Sequence, residues 1–193
     1  LKPGDRVYSV NRGKGVMAAV IGSEPLTSGT NIVGAHIDSP RLDLKPNPLY
    51  EDSGMAYFKT HYYGGIRKYQ WFNIPLSLHG VVVRTDGTQI NISVGESAGD
   101  PIFCIPDLLP HLAQQYAGKK LSEAFDGEKL NVIVGNLECG DAEKSKIKYG
   151  VMKLLNEKYG ICEADFMSAE LELVPAFAAR DLGLDRSMVC GYG

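Results

Sequence analysis

The residues in this 193-residue chain best suited to chemistry are His36 and Asp38, in the string GAHIDSPRLDL at 34–44. On an extended segment, positions i and i+2 share a face, so an imidazole and a carboxylate so spaced can converge on one point. A neutral His nitrogen is a good zinc ligand, and a nearby carboxylate can orient the ring or raise its basicity. A hydrogen-bonded, purely structural His–Asp pair would use the same two residues, so the spacing alone leaves both readings open. Ser39 is a poor nucleophile, because it lacks the G-x-S-x-G elbow and Pro40 beside it suits a backbone-shaping role.

The remaining candidates are weaker. His61 and His79 fall in strand-like, aromatic surroundings and read as structural histidines. His111, in IPDLLPHLA, reads as a helix-surface or interface residue, and Asp107 as a first-turn carboxylate beside a helix dipole. The acidic stretches at 138–141 and 181–185 carry no His. Gly64-Gly65 suits a sharp turn rather than a phosphate cradle, since no GK[ST] follows it. Trp71 is the single tryptophan and reads as a core or interface anchor.

The elements that must position these residues are mostly strands. Arg6–Asn11 and 15–21 flank Arg12-Gly13-Lys14 and predict a hairpin, and 31–35 (NIVGA) predicts a short apolar strand ending at His36. Pro40, Pro46 and Pro48 exclude a helix interior just beyond. Met55–Tyr63 predicts a strand, and 78–84 against Gln89–Val94 predicts a hairpin through Asp86-Gly87. Helices are predicted at 106–116 and 145–159, the second stopping at Gly160, with further strands at 131–134 and 169–174.

Composition sets outer bounds. A hydrophobic fraction of 44% supports a packed core, and a net charge of −3 with dispersed Lys and Arg argues against a nucleic-acid partner. Lys144, Lys146 and Lys148 read as a solvated approach to a helix. Four cysteines with no close pair, no apolar run of membrane length and no signal-like start predict a reduced, cytoplasmic protein with no membrane partner. Cys104 and Cys162 have apolar neighbours and read as small buried hydrophobes.

Three strings in order, AHIDSPRLDLKPNP, HYYGGIRKYQWFNIPLSLHGVVV and PIFCIPDLLPHLA, resemble the aspartyl aminopeptidase family, which includes vacuolar aminopeptidase I, and its bacterial members of clostridial type in particular. The resemblance runs over essentially the whole chain. It implies a zinc-dependent aminopeptidase that removes N-terminal residues, acidic ones among them, by metal-activated water. The cofactor would be two zinc ions per complete site, with cobalt or manganese as substitutes.

The implied fold is an α/β catalytic region of phosphorylase/hydrolase type, present in part and interrupted by a β-rich dimerisation domain. Residues 1–56 and 176–193 would be the catalytic flanks and 57–175 the insertion. Implied partners are peptide substrates and further copies of the chain, dimers building to a dodecamer. His36 matches the family's first zinc ligand and Asp38 the catalytic-site carboxylate that orients it. His111 falls where the insertion can touch substrate across a subunit interface. The bridging Asp, the Glu pair, a further Asp and the final His of the family match nothing here. The expectation is therefore a fragment that carries part of a metal site and is inactive alone, with a non-catalytic assembly module as the alternative reading.

Overall fold

The computed structural model describes residues 1–140 and 142–192, apart from the side chain of Gln115. It divides into two compact units, 1–37 and 38–193.

In the first unit, β1 (Arg6–Asn11) and β2 (Gly15–Val20) form an antiparallel hairpin with Asn11 opposite Gly15. Arg12 and Gly13 both take positive φ, 52° and 69°, the left-handed pair that lets a tight turn match the twist of its strands. No described residue of this unit is buried. The strand expected at 31–35 is absent, and Ile32 and Val33 are 87% and 98% exposed. Apolar β-branched residues favour extension, but a strand also needs a neighbour to pair with, and none of the described sheets takes in this segment.

The second unit is built on a six-stranded antiparallel sheet in the order β6-β5-β8-β3-β4-β7. Its strands are β3 (Arg41–Asp52), β4 (Met55–Tyr63), β5 (Leu76–Val83), β6 (Gln89–Val94), β7 (Val132–Gly135) and β8 (Ala169–Pro175). Prolines 46 and 48 fall where the β3–β4 register slips between Leu44 and Leu49, the place where missing N–H donors are tolerated. A further pair, β9 (Arg180–Leu182) and β10 (Met188–Cys190), forms a separate ribbon.

Period-two alternation gives this sheet one apolar and one polar face. Leu42, Phe58, Leu78, Val82, Ile92, Val132, Leu171 and Leu173 supply the core side. The α2 helix (Lys146–Tyr159) lies against that core through Ile147, Val151 and Leu155, and Phe166 meets Phe58 edge-on with ring centroids 6.0 Å apart. The four-residue α1 (Leu121–Ala124) is the other α-helix among the described residues. Ser145 does not cap α2. Instead Glu51 of β3 accepts hydrogen bonds from the Ile147 and Lys148 amides, both at 2.9 Å. Gly160, at φ 64°, ends the helix, and the Arg84 guanidinium donates to the carbonyls of Tyr159 (2.9 Å) and Gly160 (2.7 Å).

Two further expectations need correction. The helix at 106–116 reduces to turns and a 3-10 segment, Ala113–Tyr116. Pro106 and Pro110 sit one helical turn apart, so Pro110 cannot donate back and the residue before each proline is steered away from helix. Asp107 accordingly starts no helix, and its Oδ1 accepts from the Leu108 amide instead. Cys162 is exposed rather than buried, while Cys104 is half-buried. Every pairing between named strands among the described residues is antiparallel. The sheet also reaches back to Arg41, taking in β3, which the sequence reading assigns to the N-terminal flank.

Candidate functional site

Asp38 opens the second unit, three residues ahead of β3. The Tyr63 hydroxyl at the end of β4 donates to its Oδ2 at 2.9 Å. Register explains the geometry: Arg41 lies opposite Tyr63, so the chain entering β3 passes the Tyr63 side chain. The Arg41 guanidinium stacks over the Tyr63 ring, 4.0 Å from its centroid. Its Nε also reaches Asp43 Oδ1 at 2.7 Å and Glu172 Oε2 at 2.9 Å.

These contacts belong to the polar face of the sheet. His79 on β5, Glu172 on β8, Asp43 on β3 and His61 on β4 stand opposite one another in a cross-strand row. His79 Nε2 lies 2.9 Å from Ser77 Oγ and 3.0 Å from Glu96 Oε1, and Ser77 is fully buried. His61 stacks on Tyr62 with centroids 5.4 Å apart and approaches Glu128 at 4.0 Å. Both histidines thus serve the sheet as structural residues.

Electrostatics follow from the same neighbours. The Tyr63 phenol is held above its ordinary pKa, first by the hydrogen bond to Asp38 and then by that carboxylate's charge. Burial works against the Arg41 cation, but the Asp43 hydrogen bond and the charges of Asp43 and Glu172 outweigh it and raise its pKa. Tyr192 is pushed up by burial and then by Glu172. Its ring meets Trp71 edge-on at 6.2 Å, and Trp71 is a buried anchor as expected.

His36 lies in the first unit, exposed and outside any strand. His111 is exposed on the turn ahead of the 3-10 segment, amid Leu108, Leu109 and Leu112, which are 43%, 62% and 63% exposed. One imidazole and one carboxylate offer the donor types that zinc takes, but structural and catalytic zinc sites need at least three protein donors. Among the described residues, no group of three or more His, Cys, Asp or Glu side chains could hold a metal ion. Of the acidic stretch at 138–141, Asp141 lies outside the described residues. The described residues therefore fit a zinc ion in donor chemistry and fall short in donor number.

Sequence reasoning missed Tyr63 as the partner of Asp38, and Arg41 and Glu172 in the contacts behind it. Tyr63 closes a correctly placed strand, so the signal was available only through the β3–β4 register, which an unplaced β3 conceals.

The His-x-Asp segment thus runs into an antiparallel sheet whose Tyr63 holds the Asp38 carboxylate. The whole sequence, residues 1–193, matches the profile of the aminopeptidase I zinc metalloproteases (M18), and the chain belongs to that family. A curated relative, the probable M18 family aminopeptidase 1 of Clostridium acetobutylicum, is 58% identical over 100% of this chain and 42% of its own length. The crystal structure of aminopeptidase I from Clostridium acetobutylicum superposes with a TM-score of 0.90 at 56% identity, covering 98% of this chain and 42% of that one. The Thermotoga maritima M18 aminopeptidase structure gives a TM-score of 0.90 at 53% identity, covering 97% and 41%. The chain thus spans about two fifths of the length of the relatives it matches.

Proposed function

We propose that this chain is the portion of a zinc-dependent aminopeptidase that contributes one metal ligand, His36, with the carboxylate that orients it, Asp38, and an assembly domain. The observation that carries this reading is the pairing of an imidazole with an anchored carboxylate two residues on, in a chain matched along its whole length by a zinc aminopeptidase family. Asp38 fixes the tautomer and angle of His36. The other ligands come from outside this chain. The metal pair, when bound, supplies Lewis acidity for hydrolysis of the N-terminal peptide bond. Zinc is the expected metal, with cobalt or manganese able to substitute, and acidic N-terminal residues are the expected substrates.

In this reading 1–56 and 176–193 are flanks of the α/β catalytic domain and 57–175 is the inserted dimerisation domain, with β3 drawn from the flank into its sheet. The protein is a homo-oligomer, dimers building to a dodecamer, in a reduced, cytoplasmic setting. No helix among the described residues is long and apolar enough to cross a membrane.

The exposed leucines around His111 favour a second reading for the chain by itself, a non-catalytic assembly module that binds no substrate. In the complete enzyme, by contrast, His111 would reach substrate bound to a neighbouring copy. The test uses the complete protein with peptides bearing N-terminal Asp, Glu or Leu. Chelation should abolish cleavage and zinc should restore it, with the acidic termini cleaved fastest. Cleavage that survives exhaustive metal removal would contradict the proposal.

A further inference from the structure

We infer that Tyr63 and Arg41 are positioning residues for Asp38, so that the polar face of the sheet sets the geometry of the zinc-ligand loop. The inference rests on the reading of His36 as a zinc ligand and Asp38 as its orienting carboxylate, and it goes beyond that reading by tracing what holds Asp38.

The case is geometric. Asp38 is exposed and precedes the first residue of β3, so no ladder bond of the sheet fixes it. Its Oδ2 accepts from the Tyr63 hydroxyl at 2.9 Å. A Tyr side chain at the end of a strand has freedom in χ1, and here the Arg41 guanidinium, 4.0 Å from the ring centroid, lies flat on one side of it. Arg41 is in turn pinned by two carboxylates, Asp43 on its own strand at 2.7 Å and Glu172 on neighbouring β8 at 2.9 Å. Each link is made by side chains on the polar face, whose register is specified by the buried apolar face behind it. A slip of one residue between β3 and β4 would put Arg41 on the core side and release Tyr63.

This chain of contacts makes Asp38 a carboxylate with one oxygen already engaged. In the proposed role Asp38 orients the imidazole of His36. A rotating carboxylate would present several angles to that ring. The Tyr63 hydroxyl restricts that freedom before metal arrives. Arg41 contributes by holding the Tyr63 ring.

The experiment uses the complete protein, with zinc retention against a competing chelator and kcat and KM measured separately for each variant. Tyr63→Phe keeps the ring and removes the hydroxyl. It should speed zinc loss and lower kcat by about three- to ten-fold with KM little changed, a smaller effect than the 10- to 100-fold range for groups that touch a ligand directly. Arg41→Lys retains charge and loses the flat stack, and it should show a weaker version of the same split. Asp38→Asn should exceed both, and adding Tyr63→Phe to it should cost nothing further, because the hydroxyl acts only through Asp38. Glu128→Gln, which breaks the Lys45 ion pair on the same domain, should leave zinc retention and kcat unchanged. Thermal melting of every variant separates positioning from unfolding.

If Asp38→Asn is impaired while Tyr63→Phe matches the parent within two-fold, the inference is overturned and the reading of Asp38 survives. Full additivity of Tyr63→Phe with Asp38→Asn overturns it in the same way. If Asp38→Asn itself retains zinc and activity, the assignment of Asp38 fails and this inference fails with it.

Discussion

The six-stranded sheet and the segment that carries His36 are held by different physics. Among the described residues, every buried apolar residue lies from Leu42 to Leu173, and none belongs to 1–37. The sheet domain has one continuous apolar face, a helix capped at both ends by side chains from the sheet, and a polar face laced by ion pairs. The first unit has a two-stranded ribbon and an extended tail, and a lone ribbon is at best marginally stable in water. Burial in this chain is therefore concentrated where assembly is proposed, and the proposed zinc ligand, His36, sits where burial contributes least. Asp38, proposed to orient it, is held by Tyr63 of the sheet domain.

The most damaging way to break this contrast is to hollow the core. Phe58 is almost fully buried and packs on Phe166. Phe58→Ala should cost about 3–5 kcal/mol in a chemical denaturation curve, from lost burial plus the cavity left behind. Substitution in the first unit should give the opposite pattern. His36→Ala in the complete protein should lower zinc affinity and kcat by about a hundred-fold or more while leaving the sheet's unfolding transition in place. If that variant shifted the sheet's transition by as much as Phe58→Ala, the two regions would not be independent in the sense argued here.

Smaller effects sharpen the picture. Glu51→Gln should destabilise the domain by about 1 kcal/mol, because the carboxylate is the cap of α2 and favours the positive end of its dipole. Equilibrium unfolding at neutral pH would measure it. The smallest effect concerns acid. Backbone N–H donors from Gly95 and then Ser97 hold the Asp100 carboxyl below its usual pKa, and Thr88 does the same for Asp86. A folded pKa below the unfolded one gives stability that is complete above the ordinary carboxylate range, near pH 4. That stability is lost as pH falls through the folded value. Asp100→Asn should flatten the acid limb of the stability profile while leaving the neutral plateau otherwise similar in shape.

Legibility in the sequence followed the same division. Met55–Tyr63 and Gln89–Val94 were readable to the residue, because alternation and an Asp-Gly turn encode a half-buried antiparallel strand locally. The α2 helix was readable from its apolar spacing and Gly160. β3 was not, since three prolines mask a strand that pairs on both sides, and pairing is a property of its neighbours. The apolar string at 31–35 misled for the converse reason: it has strand composition and no strand beside it. At the proposed site, residue type and spacing made His36 and Asp38 candidates, and the family resemblance supplied their proposed roles. Tyr63, Arg41 and Glu172 were not visible, because cross-strand register brings together residues 22 to 131 positions apart in the chain.

The central claim is that this chain supplies one corner of a zinc site and cannot complete it. The most direct test is zinc stoichiometry by equilibrium dialysis on the 193-residue chain and, in parallel, on a protein of the full length of its relatives. The account predicts no tight zinc on the chain alone, and about two zinc ions per complete active site on the longer protein. Tight stoichiometric zinc on the 193 residues alone would contradict it, and would require further donors from carboxylates assigned here to the sheet.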